Sequence, residues 1–122
     1  MSKAMVVDDS RAVRMIVSRI LREVGYEVCE AGNGKEALAK LAGEGDVSLV
    51  LVDWNMPEMD GLEFVRRMRS DPGKAGIKIM MVTTETEMER MATALEVGVD
   101  EYVMKPFTKE VVTDKLRLVG AI

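Results

Sequence analysis

Short apolar, β-branched runs alternate along the chain with stretches whose apolar residues recur every three or four positions. The clearest runs are Ala4–Val7, Ser48–Val52 and Ile77–Val82, with weaker ones at Tyr26–Glu30 and Asp100–Met104. The first three are nearly continuous in apolar residues, which predicts central parallel strands covered on both faces. Tyr26-Glu27-Val28-Cys29-Glu30 alternates instead, which suits an edge strand with one wetter face.

Helical spacing fills the gaps. In Ser10–Val24 the apolar positions Val13, Ile16, Val17, Ile20, Leu21 and Val24 follow i, i+3, i+4 spacing, and Gly25 stands where a left-handed cap ends a helix. Lys35–Leu41 carries Ala37, Leu38 and Leu41 ahead of Gly43 and Gly45. Leu62–Met68 carries Leu62, Phe64, Val65 and Met68, and Asp71-Pro72-Gly73 breaks it. Thr86-Glu87-Met88-Glu89 has the form of a capping box opening a helix to Val97, which stops at Gly98. Thr108 is a candidate N-cap for a last helix bearing Val111, Val112, Leu116 and Val119.

The order is strand then helix, five times. Five such alternations predict an α/β fold: a five-stranded parallel sheet, doubly wound, with right-handed crossovers and helices on both faces. At 122 residues the chain is expected to be one domain over 1–122 with no output domain, burying roughly two-thirds of its unfolded surface. Net charge is −4, which gives no basic footprint for nucleic acid. No apolar run approaches the roughly 20 residues needed to span a bilayer, and Met1–Val7 is too short for a signal peptide. A single cysteine, Cys29, excludes an internal disulfide and fits a reducing, cytoplasmic setting. Histidine is absent, which removes His-based acid–base catalysis, His–Cys zinc sites and phosphohistidine from the chain itself.

In such a sheet ligands bind beyond the carboxyl ends of the strands, where strand order reverses. Asp8, Asp9 and Ser10 follow the first strand, and Asp53, Trp54 and Asn55 the third. Thr83 and Thr84 follow the fourth, and Lys105 and Pro106 the fifth. Three clustered carboxylates repel one another unless a cation intervenes. Oxygen donors without His or Cys select a hard ion, Mg²⁺ or Ca²⁺. Lys105 supplies a compact positive charge suited to a phosphoryl oxygen, and Thr83 a hydroxyl donor. A carboxylate at the centre can itself be the nucleophile. Taken singly, each residue reads as a turn, a cap or strand filler; the joint placement after four strands carries the signal.

Val6-Val7-Asp8-Asp9-Ser10, Asp53-Trp54-Asn55-Met56-Pro57, Met59-Asp60-Gly61, Val82-Thr83-Thr84 and Lys105-Pro106-Phe107 resemble, in this order, the motifs of response-regulator receiver domains of two-component signalling. The resemblance covers essentially the whole chain and is nearest the single-domain chemotaxis regulators. It implies a flavodoxin-like strand order 2-1-3-4-5 and a phosphorylation-dependent switch. It implies Asp53 as phosphoacceptor from a histidine kinase, with Mg²⁺ held by Asp9, Asp53 and the main-chain carbonyl of Asn55, and Asp8 acting through metal-bound water. Lys105 and Thr83 then contact the phosphoryl oxygens, and Tyr102 is the switch aromatic that turns as Thr83 moves. Asn55 and Glu85 stand at the positions that tune dephosphorylation. The implied protein is a cytoplasmic monomer without nucleic-acid or membrane partners, which catalyses its own phosphorylation and dephosphorylation but is not an enzyme of turnover. Its readout passes to a target protein through the fourth helix, fifth strand and fifth helix, at Thr86–Val97, Asp100–Met104 and Lys109–Val119. Met88 and Met91 on that fourth helix are candidates either for the binding surface or for packing beneath it.

Other readings remain. Gly32-Asn33-Gly34-Lys35-Glu36-Ala37 fits a dinucleotide-binding G-x-G-x-x-A, with Asp53 at a distance suited to a ribose. A Mg²⁺-dependent aspartyl-phosphate phosphatase would place an acid two residues after its nucleophile, where this chain has Asn55. A purely structural interaction domain is the third. Within the receiver reading, phosphorelay or cell-cycle control stands as the alternative to chemotaxis.

Overall fold

The structure, a computed structural model, describes residues 2–43 and 46–122; Gly45, which the sequence places after the second helix, lies outside them. Strands β1 Lys3–Val7, β2 Glu27–Ala31, β3 Val47–Asp53, β4 Lys78–Thr83 and β5 Glu101–Met104 form one parallel sheet in the order β2-β1-β3-β4-β5. The intervening helices are α1 Arg11–Glu23, α2 Gly34–Gly43, α3 Gly61–Arg69, α4 Met91–Val97 and α5 Lys109–Leu118. The doubly wound α/β expectation holds, and the alternating segment, β2, is an edge strand as its pattern predicts.

Side-chain alternation explains the continuous apolar runs. Met5, Val7, Val50, Val52, Ile79 and Met81 face a core shared with Ala37 and Leu41 of α2, Phe64 and Val65 of α3, and Met91 and Ala94 of α4. Their neighbours Ala4, Val6, Leu49, Leu51, Met80 and Val82 face a second core with Val17 and Leu21 of α1 and Val112 and Leu116 of α5. Each of these residues of β1, β3 and β4 is therefore buried whichever way it points, and every fully buried Leu, Val or Met contributes about 1.5–3 kcal/mol.

Helix ends follow their local chemistry. Ser10 Oγ accepts from the Val13 amide at 3.3 Å and opens α1, which Gly25 ends with φ +104°. Thr108 Oγ1 accepts from Val111 N at 3.2 Å and opens α5. Asp71-Pro72-Gly73 breaks the chain after α3 in a 3-10 turn, Pro72–Lys74, with Asp71 Oδ1 accepting from Gly73 N at 2.9 Å.

Two expectations are corrected. The buried arc of α1 runs through Val17, Ser18, Ile20 and Leu21, so Ser18 is covered while Ile16, predicted on the core face, is 56% exposed. Periodicity fixes the width of an apolar stripe, but the neighbours packed against the helix fix its centre. The predicted fourth helix over Thr86–Val97 begins instead as a 3-10 turn, Glu85–Arg90, and only Met91–Val97 is α-helical. Its opening is not capped by Glu89 reaching back to Thr86. The carboxylate of Glu87 reaches back to Thr84, accepting from the amide at 3.3 Å and from Oγ1 at 2.5 Å. Thr84 and Glu87 have the same three-residue spacing as Thr86 and Glu89. The deciding fact is that β4 ends at Thr83, which makes Thr84 the first residue free to cap. Met91 is buried beneath the surface it was a candidate to form, while Met88 is half-buried, packing against the same core with part of its side chain exposed.

Arg69 fastens the far side of the molecule. Its Nε donates to Gly98 O at 3.0 Å, Nη1 to Lys74 O at 3.2 Å and Ala75 O at 3.3 Å, and Nη2 to Asp100 Oδ2 at 3.0 Å. Asp100 Oδ2 also accepts from Ile79 N at 2.8 Å, which ties the start of β4 to the start of β5. Arg69→Ala should cost about 2–3 kcal/mol, because three carbonyls and a carboxylate lose a common donor. Urea denaturation checks it: a lower midpoint with unchanged slope is expected.

Candidate functional site

Strand order reverses between β1 and β3, so the chain leaves those two neighbouring strands toward opposite faces of the sheet and a crevice opens at their carboxyl ends. Asp8 and Asp9 follow β1, and Asp53 is the last residue of β3. Oxygens of these three carboxylates lie within 4.8 Å of one another. Asp8 and Asp53 are buried, while Asp9 faces solvent. No other group of three or more acidic or cysteine side chains among the described residues is so placed.

The peptide chain holds these side chains from behind. Asp8 N donates to Ala31 O at 3.1 Å, and Asp8 Oδ1 accepts from Ser10 N at 2.8 Å. Arg14 donates through Nη1 to Asp8 O at 2.6 Å and through Nε to Glu30 Oε1 at 3.1 Å, which fixes the β1–α1 turn to β2. Trp54 N donates to Val82 O at 3.0 Å and Gly61 N to Trp54 O at 2.9 Å, which fixes the chain leaving β3. Lys105, joined to Pro106 by a cis peptide, arrives from β5. Its Nζ lies 3.2 Å from Asp53 Oδ1 and 3.6 Å from Asp8 Oδ2, and its amide donates to Thr83 O at 2.7 Å.

The electrostatics of the site are under tension. Burial, then the neighbouring Asp8, pushes Asp53 from 3.8 up to about 6, although Lys105 pulls the other way. Burial also raises Asp8, with Asp9 adding to it, against the Ser10 amide and Lys105. Burial would lower Lys105, but Asp53 and Asp8 outweigh it and hold the ammonium above its usual range. One lysine thus faces two buried carboxylates, with a third alongside. An all-oxygen donor set with surplus negative charge is what a hard divalent cation neutralises, so these residues fit Mg²⁺. They also fit Ca²⁺ by donor type.

The remaining sequence-predicted residues ring the crevice. Thr83 is fully buried, and its Oγ1 donates to Thr84 O at 3.2 Å rather than to Asp53. Asn55 and Glu85 are exposed on the chain leaving β3 and β4. Tyr102 is half-buried on β5, with Lys115 Nζ 4.3 Å from its ring centroid. Sequence reasoning missed Arg14 and Glu87. Arg14 reaches Glu30 of the neighbouring strand, which an arginine in a helical stretch does not signal locally, whereas Glu87 stands three residues after Thr84 in a capping spacing that the sequence does carry. Trp54 is fully buried, with Arg90 stacked 4.8 Å from its ring centroid and no hydrogen-bond partner for Nε1 among the described residues.

The glycine-rich turn after β2 is not a phosphate cradle. Gly32 N donates to Glu36 Oε2 at 2.9 Å and Glu36 N to Asn33 Oδ1 at 2.8 Å, so these amides are already engaged. Gly34 is glycine because a Cβ there would come within 2.9 Å of Met59 Sδ. The turn also leaves an edge strand, away from the reversal.

Comparison with known proteins agrees with this geometry. The family model of the response regulator receiver domain matches residues 4–117. Chemotaxis protein CheY1 of Helicobacter pylori is 46% identical over 118 residues, covering 96% of this chain and 95% of that protein. A Campylobacter jejuni chemotaxis protein CheY homolog is 44% identical over 115 residues, 93% of this chain and 88% of its own. The crystallised chemotaxis response regulator CheY4 of Vibrio cholerae superposes with a TM-score of 0.89 at 39% identity, over 98% of each chain.

Proposed function

This chain belongs to the response regulator receiver domain family, and on that premise we propose that Asp53 accepts a phosphoryl group from the phosphohistidine of a kinase, in a chemotaxis pathway. The observation that carries the proposal is the meeting of Asp53 with Lys105 at 3.2 Å inside a cluster of three carboxylates drawn from two strand ends. In the transfer the bond between phosphorus and the histidine nitrogen breaks as a bond from phosphorus to an Asp53 carboxylate oxygen forms, and the histidine nitrogen takes up a proton. Such a transfer asks a protein chiefly for positioning and charge neutralisation.

Each residue has a part. Lys105 Nζ, already on Asp53 Oδ1, meets the charge added to the phosphoryl oxygens, and the Thr83 hydroxyl turns from Thr84 O to donate to one of them. Asp9, Asp53 and the carbonyl of Asn55 would hold Mg²⁺, with Asp8 beside them supporting it. When bound, the ion neutralises the carboxylates and the phosphoryl oxygens together. Asn55 and Glu85, exposed beside the crevice, govern access of the water that later removes the group. Asn55 is also why the site does not turn over: two residues past Asp53 it offers an amide where a phosphatase needs an acid.

The signal leaves by population shift. As Thr83 moves, Tyr102 on β5 follows it, and the surface of α4, β5 and α5 changes for a target protein. That surface carries exposed Leu95 and Val111. No helix among the described residues is long and apolar enough to cross a membrane, and the reading is of a monomeric cytoplasmic messenger.

Incubation with acetyl phosphate and Mg²⁺ should add one phosphoryl mass to the intact protein, and EDTA should prevent it. An unchanged mass with metal demonstrably bound would falsify the phosphoacceptor role. Sustained hydrolysis of a phosphomonoester beyond one equivalent would replace it with a phosphatase.

A further inference from the structure

We propose that Arg14 is a positioning residue for the metal: by fixing the peptide that joins Asp8 to Asp9, it sets how tightly the carboxylates hold Mg²⁺. The inference rests on the receiver reading and adds to it a residue of α1 that none of the motifs contains.

Arg14 lies near the start of α1, and its side chain is 19% exposed. Its Nη1 donates to Asp8 O at 2.6 Å and its Nε to Glu30 Oε1 at 3.1 Å. The first bond is short, as bonds from a charged donor are. Asp8 O belongs to the peptide between Asp8 and Asp9, and a peptide is planar. Holding that oxygen therefore fixes the direction in which the chain reaches Asp9. The Asp8 side of the turn has further support, from Ala31 O on its amide at 3.1 Å and from Ser10 N on Oδ1 at 2.8 Å. Asp9 has none of its own. It faces solvent, and among the described residues its carboxylate accepts no hydrogen bond. Its place within 4.8 Å of the Asp8 and Asp53 oxygens is thus set by its backbone, and Arg14 is the side chain that anchors that backbone to β2.

The charge of Arg14 does not account for its placement. Glu30 pairs with the guanidinium and offsets it. Any positive charge still felt at the cluster opposes the arrival of a cation. The two roles therefore predict opposite signs: removing a charge tightens Mg²⁺, and removing a brace loosens it. Arginine suits the bracing role. One planar group makes both bonds at once in fixed directions, which an ammonium on a flexible stem does not. Groups that orient metal ligands from behind typically contribute tenfold or more to affinity, because ligands that wander must be ordered when the ion binds.

Mg²⁺ alone is the probe, titrated into the metal-free protein and followed by the fluorescence of Trp54, the one tryptophan, which adjoins Asp53. Arg14→Ala should bind Mg²⁺ about tenfold more weakly than the wild type, and Arg14→Lys roughly threefold more weakly. Arg69→Ala, which loses stability on the far side of the molecule, should bind it as the wild type does. A matching loss of affinity in Arg69→Ala overturns the proposal, because general loosening of the fold then explains the effect. Equal or tighter binding by folded Arg14→Ala overturns it as well. Should that variant fail to fold, wild-type affinity in Arg14→Lys does the same. A wild type that binds no Mg²⁺ at millimolar concentration overturns the receiver reading and the proposal with it, so the two failures are distinguishable.

Discussion

Asp53→Ala should abolish phosphoryl uptake completely: after acetyl phosphate and Mg²⁺ the intact mass of the variant should equal that of the untreated protein. The loss is total because the other two carboxylates cannot replace it. Asp8 is engaged by Ser10 N and Lys105, and Asp9 faces solvent at the rim. The isosteric Asp53→Asn should lose uptake in the same way and, without metal, gain stability. Burial and Asp8 raise Asp53 from 3.8 to about 6 in the folded state, so the folded protein binds its proton more tightly than the unfolded chain does. Metal-free stability contributed by this group is full below pH 4, falls as pH rises from about 4 to about 6, and stays low above. At pH 7 the wild type is thus weaker by on the order of 2 kcal/mol, and Asn, which carries no charge, should recover about 1–2 kcal/mol of it. At pH 4 the difference should vanish. Mg²⁺ should reverse the ranking, raising the melting temperature of the wild type by mass action and leaving Asp53→Asn nearly unmoved. Thermal melts at both pH values, with and without Mg²⁺, check all four arms. A wild type that melts higher than Asp53→Asn in EDTA at pH 7 would show that the carboxylate cluster is not under tension.

Gly61→Ala should destabilise the protein by about 3 kcal/mol and cut the phosphorylation rate at least tenfold. The backbone at Gly61 is not left-handed, so conformational freedom is not the reason for glycine. Space is. A Cβ at this position would lie 2.5 Å from Asp53 O, 3.0 Å from Trp54 Cα and 3.1 Å from Met81 Sδ. The first two are main chain and cannot swing aside. Relief requires moving the start of α3 away from the end of β3, and Asp53 moves with it. Asp60, the N-cap that accepts from Glu63 N at 2.9 Å, and the 2.9 Å bond from Gly61 N to Trp54 O are strained by the same shift. The effect should appear jointly in urea midpoint and in phosphorylation rate. Loss of stability with an unaltered rate would mean that β3 keeps its place and α3 alone yields.

These two residues show how differently the sequence speaks. Asp53 was legible as a candidate because the apolar run before it ends there and strand ends in such a sheet point at the crevice. Gly61 was legible only as part of the Met59-Asp60-Gly61 motif; its physical reason, the approach of α3 to Asp53 O, exists only in three dimensions. The five strands were legible because burial on both faces writes itself into continuous apolar runs, and the edge strand because one wet face writes alternation. Helix ends followed from Ser10, Gly25 and Thr108, whose chemistry is local.

What failed was decided by partners distant in the chain. Ile16 belonged to a sound apolar period, yet the elements packed against α1 placed the buried arc one step further on and covered Ser18 instead. Thr84 and Thr86 offered capping pairs of equal spacing, and the end of β4 chose between them. The sequence alone determined the alternation of elements, and hence a doubly wound sheet whose chemistry lies at the strand ends. Tertiary structure alone decided that Lys105 stands 3.2 Å from Asp53 and that Arg14 braces the Asp8 turn against Glu30 of β2. Periodicity and capping act over one or two turns of chain and leave a local trace. Contacts between residues tens of positions apart arise only when the sheet brings its strand ends to one edge.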